Sequence, residues 1–259
     1  MAISVGPAAQ LEATAPQAPE YTLLDTVPVL DGGRALLGGE FFAYPTGLAR
    51  LYPGCATGTF ADKDLENPIE NASFLPFGSY LPLQCSAIDL SRGELESRAR
   101  AAFRAVESEA VERELVTGET NPAMPHLDDG NLTSLGSLSP LEALALLEQA
   151  ISAISRKGVI IADAATASLW SQSVTTNGVM TTALGTPIAV SSFLSIDSDT
   201  STGIAYATGP IVIYASDTLV LFGFDQTIND QVVIVERSYL INWDTQLQVS
   251  ATVDYDTVP

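Results

Sequence analysis

The sequence predicts an α+β chain, with its helices in the middle and most of its strands after them. Three observations carry that prediction. Residues 93–116 repeat apolar side chains at helical spacing. A second helical stretch opens on Ser139-Pro140 with Glu142 behind it. After Gly158 the apolar residues come in short runs and alternations separated by turn residues, the pattern of strands.

Residues 1–39 read as an arm. They are rich in Ala, Pro and Gly and hold one short apolar stretch, Tyr21 to Leu30, broken by Pro28. Such a segment buries too little surface to fold alone. It is expected either as a tail or as an extended arm lying on a neighbouring subunit. Residues 40–90 are punctuated by Pro45, Pro53, Pro68, Pro76 and Pro82 and close on an alternating run, Tyr80 to Ile88, read as a strand. The acidic stretch Ala61 to Glu70 reads as a loop reaching outward as a long hairpin to touch another chain, because a structureless segment of this length does not suit a compact interior.

In the 93–116 helix the apolar stripe is Leu95, Ala99, Ala102, Phe103, Val106 and Ala110. Glu94–Arg98, Glu96–Arg100 and Glu109–Arg113 stand four apart with the acid first, the better orientation. Gly118 is placed to stop the helix. Five of the nine arginines fall between Arg92 and Arg113, matched by acids, so this is a solvated face and not a basic patch. Residues 119–138 read as a loop. In the second helix Ser139 is the N-cap, Pro140 the first helical residue, and Leu144, Leu147, Ile151 and Ile154 the apolar stripe; Arg156 and Lys157 oppose the helix dipole and Gly158 ends it. Val159 to Ala162 is a short buried strand. Asp163 caps a brief helix ending near Trp170. Leu184 to Val190 is a turn into a strand. Five further strands are expected at 204–207, 210–214, 218–222, 231–235 and 246–255, the last alternating Leu247, Val249, Ala251, Val253 and Tyr255 with polar residues.

Composition narrows the function. Of 259 residues 46% are hydrophobic and only 16% charged, against about 25% charged in an average soluble domain. Eleven basic and 31 acidic residues leave a net charge of -20. That excludes a binder of nucleic acid through clustered Lys and Arg, and adhesion to an anionic membrane surface. No apolar run reaches the ~20 residues of a membrane span. The opening residues carry neither the basic nor the apolar region of a secretory signal. Cys55 and Cys85 are too few for a disulfide scaffold and form no CxxC pair, so reduced thiols are expected.

Catalytic chemistry finds little support. His126 is the one histidine, near Asp128 and Asp129, but there is no G-x-S-x-G elbow. Phosphate-cradling glycine motifs are missing. Asp197-Ser-Asp199 and Asp128-Asp129-Gly-Asn131 lack the bidentate Glu of a calcium loop and read as solvated turns. Trp243-Asp244 suggests a sugar site but reads as a core tryptophan at a strand end. No catalytic, cofactor-binding or metal-ligating residue is assigned.

The order of the pieces is more specific than any motif. Leu81-Pro-Leu-Gln-Cys-Ser-Ala-Ile-Asp-Leu-Ser-Arg-Gly-Glu-Leu-Glu96 runs into Ala110-Val-Glu-Arg-Glu-Leu-Val-Thr-Gly118. Gly158-Val-Ile-Ile-Ala162 leads to Leu184-Gly-Thr-Pro-Ile-Ala-Val190, and Ile211-Val-Ile-Tyr214 leads on to Val253. Together these resemble the Hong Kong 97-type major capsid protein of tailed phages, whose fold is shared with encapsulin shell proteins. The resemblance implies an N-terminal arm (1–39), an extended loop and return strand (40–90), a peripheral domain with a long spine helix (91–135 and 205–259) and an axial domain (136–204). It implies a non-enzymatic structural subunit that self-assembles as a homo-oligomer, into hexamers and pentamers of an icosahedral virion capsid. Such a shell is assembled in the host cytoplasm and encloses double-stranded DNA without sequence-specific binding, cofactor or membrane. Portal, scaffold or minor capsid proteins would be further partners; no charged helical scaffolding segment precedes the arm. Some members of the family join subunits through an extended-loop lysine and a peripheral-domain asparagine, roles for which Lys63 and Asn229 or Asn242 stand by position alone. The alternatives are an encapsulin-type nanocompartment shell, a decoration or tail protein of a virion, and a hydrolase using the acidic loops. Low surface charge suits a subunit whose flanks are buried against copies of itself, and a strongly acidic lining would keep packaged DNA from sticking.

Overall fold

A computed structural model describes residues 14–42, 71–86, 91–154, 157–171, 173–174, 178–225 and 230–257. The arm contains α1 (Leu23–Thr26), β1 (Val29–Asp31), a 3-10 turn (Gly33–Leu37) and β2 (Gly39–Phe42). Over residues 21–37 it is built into the chain's own fold and does not trail as a tail. Leu23 and Val27 are buried in the core, the carbonyl of Tyr21 accepts from the Val190 N–H at 2.8 Å, and β1 adds a parallel strand beside residues 213–215. A segment too apolar-poor to fold alone folds because a core and an unpaired strand edge are already there to receive it.

β2 pairs antiparallel with β3 (Asn71–Phe74), so the chain leaves and returns side by side around residues 43–70. The acidic stretch with Lys63, and Cys55, lie outside the described residues. β4 (Phe77–Ser86) is the return strand, a few residues earlier than expected.

α2 (Arg92–Thr117) begins at Ser91, whose hydroxyl accepts from the Glu94 N–H while the Glu94 carboxylate accepts from the Ser91 N–H at 2.9 Å. It ends at Gly118 in the left-handed region, φ 60°. A Cβ at Gly118 would also stand 2.7 Å from His126 Nδ1. Gly118→Ala should therefore cost about 1 kcal/mol or more in a urea melt, from the left-handed backbone and the displaced imidazole. With ~1.5 Å rise per residue the helix is long enough to serve two cores. Leu95, Ala99 and Phe103 pack against Val233 and Val235, while Val111, Leu115 and Val116 enter the central core. The expected stripe holds for its first half only. Val106 is exposed, and Glu107, Ser108 and Glu112 are buried in its place, because the arm and a later loop cover that side of the helix. Arg92 pairs with Glu96 at 2.7 Å, and Arg113 with Glu109 at 3.3 Å as expected.

β5 (Thr133–Leu138) lies within the stretch expected as a loop; its polar, mostly exposed sequence hid it. α3 (Pro140–Ala153) starts as predicted, the Glu142 carboxylate accepting from the Ser139 hydroxyl at 2.7 Å. It stops before Lys157. Gly158 serves a different purpose, since a Cβ there would stand 2.5 Å from the carbonyl of Thr208, and glycine lets the two backbones touch. Arg156 lies outside the described residues. β6 (Val159–Ala162) is buried on both faces, Ile160 and Ala162 toward one core and Val159 and Ile161 toward another. Asp163 caps α4 (Ala164–Trp170), accepting from the N–H groups of Ala165 and Thr166. The short β7 (Ser173–Val174) and β8 (Met180–Thr181) lead into β9 (Pro187–Val190).

The remaining strands are β10 (Thr202–Thr208), β11 (Ile211–Ala215), β12 (Leu219–Asp225), β13 (Asp230–Trp243) and β14 (Gln248–Asp254). β13 is far longer than the predicted 231–235 and is the spine of a five-stranded sheet: β11 and β12 pair along one side of it and β4 along the other. A seven-stranded sheet runs β5-β14-β10-β6-β9-β8-β7, with α3 and α4 packed on it. Strand pairing thus divides the 205–259 segment that sequence order grouped as one unit. Residues 211–243 join the helix α2, whereas β10 and β14 sit beside β6 in the other sheet. Alternation marks a strand but not its partner, and β10 and β14 reach β6 only through long-range pairing.

Candidate functional site

Four buried polar clusters hold the elements together, and of their carboxylates only Asp163 stood out in the sequence, as a helix cap. Glu112, fully buried, accepts from the Ser108 hydroxyl (2.9 Å), the Leu23 N–H (3.3 Å), the Ser191 hydroxyl (2.9 Å) and the N–H groups of Ser192 (2.7 Å) and Phe193 (3.3 Å). One carboxylate therefore ties the arm, the long helix and the loop after β9. Burial pushes its pKa above the ordinary glutamate value, against the pull of those hydrogen bonds.

Glu107 binds Arg237 Nη1 at 2.7 Å and the Tyr239 hydroxyl, while Arg237 Nε donates to the carbonyl of Ser216 at 2.7 Å. Burial, then the Glu107 carboxylate, pushes the Tyr239 phenol far upward. Glu148 on α3 accepts from the hydroxyls of Thr182 and Thr186 (2.7 Å to the latter), clamping the Leu184-Gly-Thr-Pro turn. Asp163 accepts from Tyr255 and Thr166, joining the end of β14 to α4. The signal available in the sequence was spacing: Ser108–Glu112 at i,i+4 and Asp163–Thr166 at i,i+3 place partners on one face. The distant partners have no local signature.

The residues singled out for chemistry do not converge. His126 Nδ1 donates to the carbonyl of Met124 at 3.0 Å, and its own carbonyl accepts from Gln248 Nε2 at 2.7 Å. Asp129 caps its own turn through the Asn131 N–H, and Asp197 does the same through Asp199. Trp243 is 1% exposed, a core residue as the sequence suggested, with Asp244 buried beside it. Asn242 is half-buried on β13 and its Oδ1 has no partner, whereas Asn229 lies outside the described residues. Cys85 packs partly buried beneath α2. Among the described residues no three His, Cys, Asp or Glu side chains are grouped to hold a metal, and no helix is long and apolar enough to cross a membrane.

What the surface offers instead is exposed apolar area. Leu141 and Leu184 are each 76% exposed on a groove of about 390 Å³ between α3 and the 182–184 turn. Leu219, Leu221 and Tyr80 stand open on the five-stranded sheet.

The whole chain, and not one site, finds likenesses among solved structures. A chain from Mycobacterium phage Bobi is 12% identical with a TM-score of 0.61, covering 96% of this chain and 94% of that one. The capsid of an empty GTA particle is 10% identical with a TM-score of 0.60, covering 97% and 95%. This chain has the Hong Kong 97-type capsid fold. The same fold links it to the holo-SrpI encapsulin complex of Synechococcus elongatus PCC 7942, 11% identical with a TM-score of 0.59 over 97% and 96% of the two chains. No family model matches the sequence, and no curated protein matches it. At such identities the fold survives where the sequence signal has gone.

Proposed function

We propose that the chain is a structural, non-enzymatic subunit of an icosahedral virion capsid, assembling as hexamers and pentamers around double-stranded DNA. The observation that carries this reading is the match over 97% of this chain and 95% of a chain of the GTA capsid. In this reading the five-stranded sheet and α2 form the peripheral domain, and the seven-stranded sheet with α3 and α4 the axial domain. The axial domain then takes in β10 and β14, and residues 40–90 keep the role of extended loop and return strand. Portal, scaffold or minor capsid proteins are further partners, and assembly takes place in the host cytoplasm. The net charge of -20 fits an inner wall to which DNA does not adhere.

The encapsulin match, of equal coverage, supports a second reading: a nanocompartment enclosing a cargo protein. The purified chain should sediment as megadalton particles or capsomers that appear as closed shells in negative stain. A stable monomer of 27.2 kDa would overturn both readings. Particles from the native source that hold nucleic acid favour the capsid; particles that hold a folded enzyme favour the nanocompartment.

A further inference from the structure

The five-stranded sheet is apolar on both faces. Along β12 the side chains alternate, so Val220 and Phe222 pack under α2 with Val233, Val235, Leu81 and Leu83. The intervening residues point the other way. Register aligns them into rows: Leu219, Glu236 and Tyr80; Leu221, Ile234 and Pro82; Gly223, Val232 and Gln84. An antiparallel sheet with one solvated face alternates apolar with polar. Here six of those nine outward positions are Leu, Ile, Val, Tyr or Pro, with Tyr80 68%, Leu219 50% and Leu221 44% exposed, and Glu236, Gln84 and Gly223 are the other three.

We infer that this outward face, centred on Leu221 and Ile234, is covered in the assembled particle by a second copy of the chain. The inference rests on the shell reading and names the surface that serves it. Charge argues for a copy as the occupant. Two chains of net charge -20 repel through an average face, but between Asp230 and Glu236 the outward positions of β13 are Val232 and Ile234. A like-charged molecule can seat on the two middle rows, around Leu221 and Val232, with the Asp230 and Glu236 carboxylates left at the rim. Area argues the same way. Three strands at ~4.8 Å spacing over seven residues present a footprint of about 300 Å², well short of the ~800 Å² per partner of a free-standing complex. Such a patch does not hold a discrete dimer; it suits one of several contacts that a subunit makes at once in a closed lattice.

The test is side-chain hydroxyl-radical footprinting of full-length chain as particles and as dissociated subunits, read at Tyr80, Leu219, Leu221 and Ile234. The expected result is a severalfold loss of labelling on assembly. Leu221→Asp should abolish particle formation while its melting temperature stays near that of the wild type. Leu221→Thr, which puts a strand-favouring β-branched residue there, should lower particle yield and guards against a misfolded Asp variant. Equal labelling in particles and subunits would overturn the inference, as would particles of Leu221→Asp at normal yield. Protection already present in the free subunit would assign the face to residues 43–70 of the same chain and overturn it as well. A wild type that never forms particles removes the shell reading; particles whose Leu221 stays open remove only this inference.

Discussion

Glu112→Ala should lower the free energy of unfolding by about 3 kcal/mol, measured as a fall in the urea midpoint at unchanged slope. The substitution leaves the buried N–H of Leu23 without an acceptor, at about 1–3 kcal/mol, and takes from the part-buried Ser192 N–H its 2.7 Å partner. The serine hydroxyls of 108 and 191 can turn to other partners and soften the loss. Against a total stability of about 5–15 kcal/mol this is a large fraction. Its first effect should be local, releasing the arm from α2, so limited proteolysis near residue 20 should quicken before global unfolding does.

The same carboxylate gives a pH signature. Burial raises its folded pKa above the unfolded value. Its contribution is therefore fully present below the ordinary glutamate pKa and is lost as pH rises through the raised one. Exposed Glu94, Glu142 and Asp197 run the opposite way: hydrogen bonds from Ser91, Ser139 and the Asp199 backbone lower their pKa values, so what they add is present at neutral pH and lost on acidification. Glu112→Gln isolates the first effect. The wild-type advantage over Glu112→Gln should shrink as pH rises from about 4, near the unfolded glutamate value. An advantage that grows with pH would show that the five donors outweigh burial.

Trp243→Ala should cost about 4 kcal/mol, the range for emptying a buried aromatic site. The indole is 1% exposed at the end of β13, opposite Ile211, in the core shared by both sheets. Trp243→Phe should lose less than half as much, because most of the packing surface stays. Had Trp243 been a sugar platform, its loss would have left stability nearly unchanged and removed a ligand. The expected pattern is the reverse: lost stability, and lost particles only where the subunit no longer folds.

Local order was legible in the residues. Ser91 and Ser139 with Glu three residues on, Gly118, Asp163, the doubly buried Val159 to Ala162 and the alternation of 246–255 each need only neighbours in the chain, and each was readable there. The first half of the α2 stripe was readable for the same reason. Its second half was not, since Glu107, Ser108 and Glu112 are buried by elements about 80 to 130 residues away in sequence, which no period records. The seat of residues 21–31 was hidden for the same cause: a tail and an arm extended on a neighbour were both open readings, and neither names β11 and the central core that receive them.

By itself, then, the sequence determined where helices start and stop, which short runs are strands, and that the chain carries few charges for its size. Only the tertiary structure decided which strands share a sheet, that β10 and β14 leave the α2 sheet for the other, and that the arm folds back on its own body. Those outcomes depend on long-range pairing and on the burial of single carboxylates, and the energy of each such contact belongs to two distant segments at once.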